Sequence, residues 1–361
     1  MKTETTVREL VKEQLSHLFV LERGPLIRAC LVRLAERTHL LLIAMAGIIE
    51  DGWSLGVLAN ELAALYDAFT AGRASPLAPL PIQYADFADW QRRWRSCPDL
   101  VSQLTYWEER LRDPLPVMKL TRSRRRRRID DFSTARKHVA LPGKLSEAAK
   151  DFSQREGVTL FMTLVAAFKT LLNRYTGEDD LRVATDVANR NRPQTEGLIG
   201  PIANTVILRT SLRGDPIARE VIRRVRATTL GALANQDLPF EAVVEALERD
   251  RAVDPAALAQ VKLSLQSDSL RPVANSDHVL AFEEVDPGTL LPLVTVTTFD
   301  VTLMLRDTTN GLVGTCVYKP HVFGGEAIDR LLQDFQQVLE LMIMQPEQPI
   351  SLIAVSTTDR K

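Results

Sequence analysis

Apolar positions along this chain follow two different periods. Residues 26–34 and 39–46 read as strands separated by the turn-like Ala35-Glu36-Arg37-Thr38. The second stretch is almost wholly apolar, which predicts a strand buried on both faces. Ahead of them, residues 5–18 carry the spacing of an amphipathic helix. Glu50-Asp51-Gly52 ends the second strand, and residues 53–70 place Leu55, Leu58, Leu62 and Leu65 on one helical face. Gly72 with Pro76, Pro79 and Pro81 marks residues 71–81 as a connecting loop. Residues 84–111 read as helix interrupted near Pro98. Further helices are predicted over 145–156, 160–175, 217–234, 240–249 and 325–344. Strands are predicted over 182–187 and 205–211, and they dominate 260–317. No repeat period is present. Strands and helices mixed in two successive units predict an α/β or α+β fold of two lobes with a site between them. The basic run Arg122 and Arg124 to Arg128, followed by Asp130 and Asp131, marks the expected boundary, with lobes at 1–133 and 134–361.

A length of 361 residues suffices for two cores of that kind. Lys and Arg total 45 and Asp and Glu 46, a net charge of -1, so charge does not point to nucleic acid. The basic run is expected to be a solvated loop, with contact to an acidic partner as the functional alternative. Cys30, Cys97 and Cys316 are dispersed, so neither a disulfide framework nor metal-ligand spacing is visible. The N-terminus lacks an apolar signal core, and the longest apolar run, 40–49, is far short of the roughly 20 residues a spanning helix needs. These features predict a soluble cytoplasmic protein without metal or membrane partner.

The candidate chemistry lies in an ordered series of motifs. Met45-Ala46-Gly47-Ile48-Ile49-Glu50-Asp51-Gly52-Trp53-Ser54 comes first, then Tyr84-Ala85-Asp86-Phe87-Ala88-Asp89-Trp90-Gln91. Ile199-Gly200 leads into Asn204-Thr205 and on to Arg209. Asn235-Gln236-Asp237-Leu238-Pro239-Phe240-Glu241 follows, with Phe299-Asp300-Val301-Thr302-Leu303 late in the chain. In this order the motifs resemble MHHxxxDGWS, YxDFAxWQ, IGxxxNTxxxR, QDxPFE and FDLTL of the condensation domains of nonribosomal peptide synthetases. Arg249-Asp250 onward is a weaker match to a further segment. The resemblance covers nearly the whole chain, but the two earliest family motifs have no counterpart before Thr5.

The resemblance implies a chloramphenicol-acetyltransferase-like fold, two related lobes in a V with a tunnel between, here with the first lobe incomplete. It implies acyl transfer between phosphopantetheine thioesters carried by peptidyl or aminoacyl carrier proteins or neighbouring synthetase modules, with no cofactor bound by the chain itself. It also exposes a departure: Ala46 and Gly47 stand where the family has its two histidines. The second histidine serves as general base or orients the amine, and either role needs a ring nitrogen within hydrogen-bond reach. His39 begins the strand that ends at Ala46, about 23 Å away along an extended chain, and cannot replace it. Glu50 is the titratable group near the gap; a solvated or paired carboxylate is the bland reading and a substitute base the sharp one.

Asp51 is expected to be structural. One reading pairs it with Arg190 or, failing that, Arg192; the other makes it the cap of the following helix. Gly52 either admits close approach of a pantetheine arm or only makes a turn, and Gly52 and Trp53 N–H groups open the helix. Tyr84, Phe87 and Trp90 at helical spacing are expected in a core rather than on a binding surface. Trp53, Asn204, Thr205, Gln236 and Asp237 are carried over as motif and tunnel residues. The expected activity is therefore impaired amide formation. The alternatives are a non-catalytic module that recruits a carrier protein or a tailoring enzyme, and a truncated gene remnant.

Overall fold

The computed structural model describes residues 7, 9–14, 19–94, 97–111, 118, 120, 133–250, 258–266, 298–309 and 311–356. The basic run and the stretch that follows Asp250 up to residue 257 lie outside these residues. The described chain forms two compact units that do not follow a single cut near residue 133. Of the described residues, those within 1–92 and 188–203 belong to one, and those within 93–187, 204–268 and 294–361 to the other.

In the first unit, β1 (Ile27–Arg33) pairs antiparallel with β2 (His39–Met45), Ile27 opposite Met45 and Arg33 opposite His39. Leu34 and Ala35 N–H groups close the turn on Thr38 O. β2 is not buried on both faces as its composition suggests. Among the described residues the sheet has these two strands alone, and Ile27, Leu31 and Ile43 of one face are exposed. An apolar run in an antiparallel pair covered on one side mimics the pattern of a central parallel strand. Helix α1 (Gly52–Thr70) also departs from expectation. Its fully buried positions are the small Ser54, Gly56, Ala63 and Ala68, and Leu55 is 51% exposed. Helix α2 (Tyr84–Trp94) supplies Phe87 to a small core with Leu198 and Ile202, flanked by Ile82, Tyr84 and Trp90.

The second unit is built on a six-stranded mixed sheet. Its strands are β3 (Ala135–Ala140), β4 (Asp180–Val187), β5 (Asn204–Ser211), β6 (Val261–Gln266), β7 (Val301–Thr308) and β8 (Gly311–Tyr318). The order is β3-β8-β7-β6-β4-β5; β4–β6 and β6–β7 are parallel and the other pairs antiparallel. Its helices are α3 (Pro98–Leu111), α4 (Gly143–Arg155), α5 (Leu160–Thr176), α7 (Ala218–Ala234), α8 (Phe240–Asp250) and α9 (Gly325–Met344), while the short α6 (Pro193–Glu196) belongs to the first unit. Helix α5 is apolar nearly all round, and its residues from Met162 to Leu172 are buried, as such a helix must be. Thr159 caps its start and Gly177, at φ 73°, ends it. Phe168 of α5 meets Phe335 of α9 edge to face. Leu100, Trp107 and Leu111 bury α3 in this same core, and Trp107 Nε1–H donates to Asn235 O at 2.8 Å. That burial is why the unit begins near residue 93. β3 was not expected from the sequence; its short, polar ARKHVA lies at the sheet edge on β8.

Candidate functional site

Asp51 is the hub of the first unit's site, and both readings of it hold together. It is the N-cap of α1: its carboxylate accepts Ser54 N–H at 2.9 Å, and Ser54 Oγ accepts Asp51 N–H in return at 3.3 Å. It also receives Arg190 Nη2 at 2.9 and 3.0 Å. Ser54 Oγ donates at 2.8 Å, and Ile202 N–H and Ala203 N–H donate to Oδ2 at 3.0 and 2.9 Å. A carboxylate has about four lone-pair sites, so this one is fully committed and has none to offer a reacting amine. Burial pushes the Asp51 pKa up. Donors from Ser54 and Ala203, with Ser54 Oγ and the Arg190 charge, more than offset it and hold the group below the usual carboxylate range.

Arg190 organises residues 188–203 around itself. Nη1–H groups bond Thr195 O and Leu198 O at 2.6 and 3.0 Å, and Nη2 reaches Gly200 O at 3.2 Å as well as Asp51. The Arg190 and Asp51 side chains are 1% and 7% exposed. The preceding Asn189 sits at φ 54°, a left-handed conformation Asn tolerates, and its Nδ2 bonds Ile202 O. Arg192 takes a separate role, its guanidinium 4.3 Å over the Trp90 ring. Trp53 Nε1–H is committed to Glu196 O at 2.8 Å. Two contributors were missed in the sequence. Ser54 Oγ, three residues after the cap, also accepts Gly200 N–H at 3.0 Å. Gly200 packs so closely that a Cβ there would fall on the Tyr84 ring. The i,i+3 spacing of Asp51 and Ser54 was the available signal for the first, and the Ile199-Gly200 motif for the second.

Ahead of this hub, Ala46 is buried and Gly47 is exposed in a turn closed by Ile49 N–H on Ala46 O. A Cβ at Gly47, or at Gly52, would meet no atom within 4 Å. Glu50 is half-buried. Burial first, and the Asp51 charge second, raise its pKa above the ordinary value. Of the residues at this segment's polar positions, Glu50 is the one with a carboxylate not already saturated by the hub.

The second unit ties its motifs into a separate knot. Asn204 uses its whole amide: Nδ2 donates to Gln236 O and Leu238 O, both at 2.7 Å, and Oδ1 accepts Thr205 N–H and Phe240 N–H. Gln103 brackets the same loop, accepting Leu238 N–H at 3.1 Å and donating to Asp237 Oδ2 at 3.3 Å. Gln236 and Asp237 thus lie on a loop held by side chains from β5 and α3. Thr205 Oγ1 bonds Asp186, which pairs with Lys262 at 2.6 Å. Among the described residues no cluster of His, Cys, Asp and Glu could hold a metal, and no helix is long and apolar enough to cross a membrane.

The sequence profile of the condensation domain matches residues 1–361. The chain belongs to the condensation-domain family. It is similar to a linear gramicidin synthase of Brevibacillus parabrevis, 39% identical over 350 residues. That match covers 97% of this chain and 7% of the synthase. Malpinin synthetase of Mortierella alpina is 37% identical over 358 residues, 99% of this chain and 4% of the relative. This condensation domain therefore spans less than a tenth of those synthetases. Among solved structures it resembles the X-domain from teicoplanin biosynthesis, with a TM-score of 0.80, 26% identity, and coverage of 95% of this chain and 78% of that one. The complex of the X-domain with OxyB gives a TM-score of 0.82 at 26% identity, covering 99% and 78%. The first condensation domain of the calcium-dependent antibiotic synthetase, in complex with a substrate analogue, has the same fold at a TM-score of 0.76 and 21% identity, covering 98% and 75%. The α+β reading and the family resemblance are thereby established.

Proposed function

We propose that this condensation domain engages thioesters carried on the phosphopantetheine arms of carrier proteins and forms amide bonds at a strongly reduced rate. In the reaction the acceptor amine attacks the donor thioester carbonyl, the C–N bond forms, and the C–S bond breaks. The amine loses a proton and the departing pantetheine thiol gains one. The observation that carries the reading is Gly47, exposed and without a side chain at the position where the family places its second histidine. Asp51 is saturated by its own neighbours and does not replace it. Loss of a general base typically costs about 10²–10⁴-fold in rate. Positioning alone retains part of the acceleration.

Two loaded carrier proteins and a single-turnover amide assay test this. Gly47→His meets no steric barrier at Cβ and is expected to raise the rate by up to roughly 10²–10⁴-fold. Ala46→His must fit a buried alanine site, so it is best added second. A parent domain that already condenses at a rate unchanged by both Gly47→His and Glu50→Gln refutes the reading. Loss of a substantial parent rate in Glu50→Gln moves the base to Glu50, whose raised pKa suits that role. A second reading, recruitment of a tailoring enzyme, draws support from the similarity to an X-domain whose structure is of a complex with OxyB. Tight binding of a carrier-linked peptide or a partner oxygenase, with parent and Gly47→His both silent in condensation, favours it.

A further inference from the structure

The hairpin of the first unit leaves a strand edge open. Ala46 N–H donates to Leu26 O at 3.0 Å and Leu34 N–H to Thr38 O at 2.9 Å, at the two ends of the β1–β2 register. Bonded and non-bonded positions alternate along an antiparallel pair, so the even-numbered residues of β1 exchange backbone bonds with β2. Ile27, Ala29, Leu31 and Arg33 therefore turn their N–H and C=O groups away from β2. All four are exposed, Leu31 at 66%, and among the described residues no further strand adjoins β1. The outer edge of β2 is less open, since Leu41 and Met45 there are partly buried. A two-stranded ribbon is marginal in water, and an open edge is a template for another strand.

We infer that the partner of this edge is a second copy of the same chain, bound through β1 about a two-fold axis at Cys30. The strand is complementary to itself in this arrangement. Antiparallel pairing centred on residue 30 sets Ala29 opposite Leu31 of the second copy. Both have outward N–H and C=O groups, so each of the two symmetric pairs exchanges two bonds. Cys30 faces Cys30 of the second copy at the non-bonded position between them. Arg28 lies opposite Val32 and Arg33 opposite Ile27, so no like charges are set face to face. The exposed Leu31 side chains of the two copies come within diagonal reach of each other on one face. One strand from each copy makes a contact smaller than a standard interface, which places the affinity in the micromolar range. The inference is independent of the rate at which the domain makes amides.

Sedimentation velocity of the whole chain over a concentration series tests it. The 40.4 kDa monomer is expected to give way to a dimer as the concentration rises through the micromolar range. Ala29→Pro removes an outward N–H that β2 does not use, a change an edge strand tolerates. It is expected to leave the chain monomeric with its far-ultraviolet circular dichroism unchanged. Leu31→Lys, which sets two ammonium groups beside the axis, is expected to do the same. Opposed non-bonded residues have Cα atoms about 4.5 Å apart, within the range a disulfide spans. Diamide, which is reduced as it oxidises two thiols to a disulfide, is therefore expected to join Cys30 to Cys30 in the dimer, as read by peptide mass spectrometry. Cys30→Ser is expected to dimerise without being joined. The inference is overturned if the chain stays monomeric at every concentration, which would reserve the edge for a strand of different sequence. It is equally overturned if the dimer survives Ala29→Pro or Leu31→Lys, or if diamide joins the dimer through another cysteine or not at all.

Discussion

Replacing Asp51 by Asn isolates the buried ion pair from the helix cap. Asn caps a helix about as well as Asp, so an amide oxygen facing Ser54 N–H keeps that contribution. The amide nitrogen then occupies the Oδ2 position, where Ile202 and Ala203 N–H groups already point inward, so donor faces donor. Arg190, with a side chain 1% exposed, keeps its charge and loses its anion. Breaking one side of a buried pair costs about 3–5 kcal/mol. That is a large share of the roughly 5–15 kcal/mol available to a typical domain. Among the described residues, the buried apolar cluster beside this pair is small, formed by Phe87, Leu198 and Ile202. Native-state hydrogen exchange read by mass spectrometry can localise the loss. Peptides covering 46–70 and 188–203 should exchange about 10²- to 10⁴-fold faster in Asp51→Asn, while those covering β4 and β5 should change little. The same carboxylate makes the parent acid-sensitive. Its folded-state pKa lies below the unfolded value of about 3.9, so the unfolded chain binds the extra proton. The stabilisation is complete above about pH 4 and disappears as pH falls through the folded-state pKa. Asp51→Asn should lack that loss. Acceleration of less than tenfold in both peptides, with the parent equally insensitive to acid, would show that solvent rather than Arg190 satisfies Asp51.

Gly200→Ala should destabilise the same unit, because its Cβ falls on the Tyr84 ring; Tyr84→Ala in the same chain should recover part of the loss in urea unfolding. Asn204→Ala should cost more than the roughly 1 kcal/mol of a single hydrogen bond, since three bonds clamp the 236–240 loop; protease cleavage within that loop is the readout. Lys169 is wholly buried, with Nζ on Leu208 O and Thr210 Oγ1, and burial holds its pKa well below that of a free lysine. The unfolded chain therefore carries the extra proton up to about pH 10.4, and stability from this group is lost as pH falls through the folded-state value. The difference in urea midpoint between parent and Lys169→Met should grow in the parent's favour as pH is raised towards 10, and a constant difference would refute it.

Periodicity and punctuation carried most of the local structure. Residues 325–344 were delimited by glycine at one end and loss of apolar spacing at the other, and the helix occupies that span. Pro98 placed the break between α2 and α3. The motif series carried the family, because each segment encodes local geometry in consecutive residues. Burial was less legible. The apolar β2 was read as buried on both faces, yet what lies against an element is a property of its neighbours and not of its own period.

The sequence by itself determined the family, the element order and the substitution of Ala46 and Gly47 for the histidine pair, since all three are written in contiguous residues. The tertiary structure decided what those residues do. Asp51 could cap α1 or pair with an arginine, and only folding brought Arg190, 139 positions later, to within 2.9 Å while also keeping the cap. Folding likewise sent Arg192 to Trp90 and joined Asn204 to the loop at 236–240. Hydrogen bonds and steric exclusion act over a few ångströms of space, so partners distant in the chain are selected by the fold that brings them together.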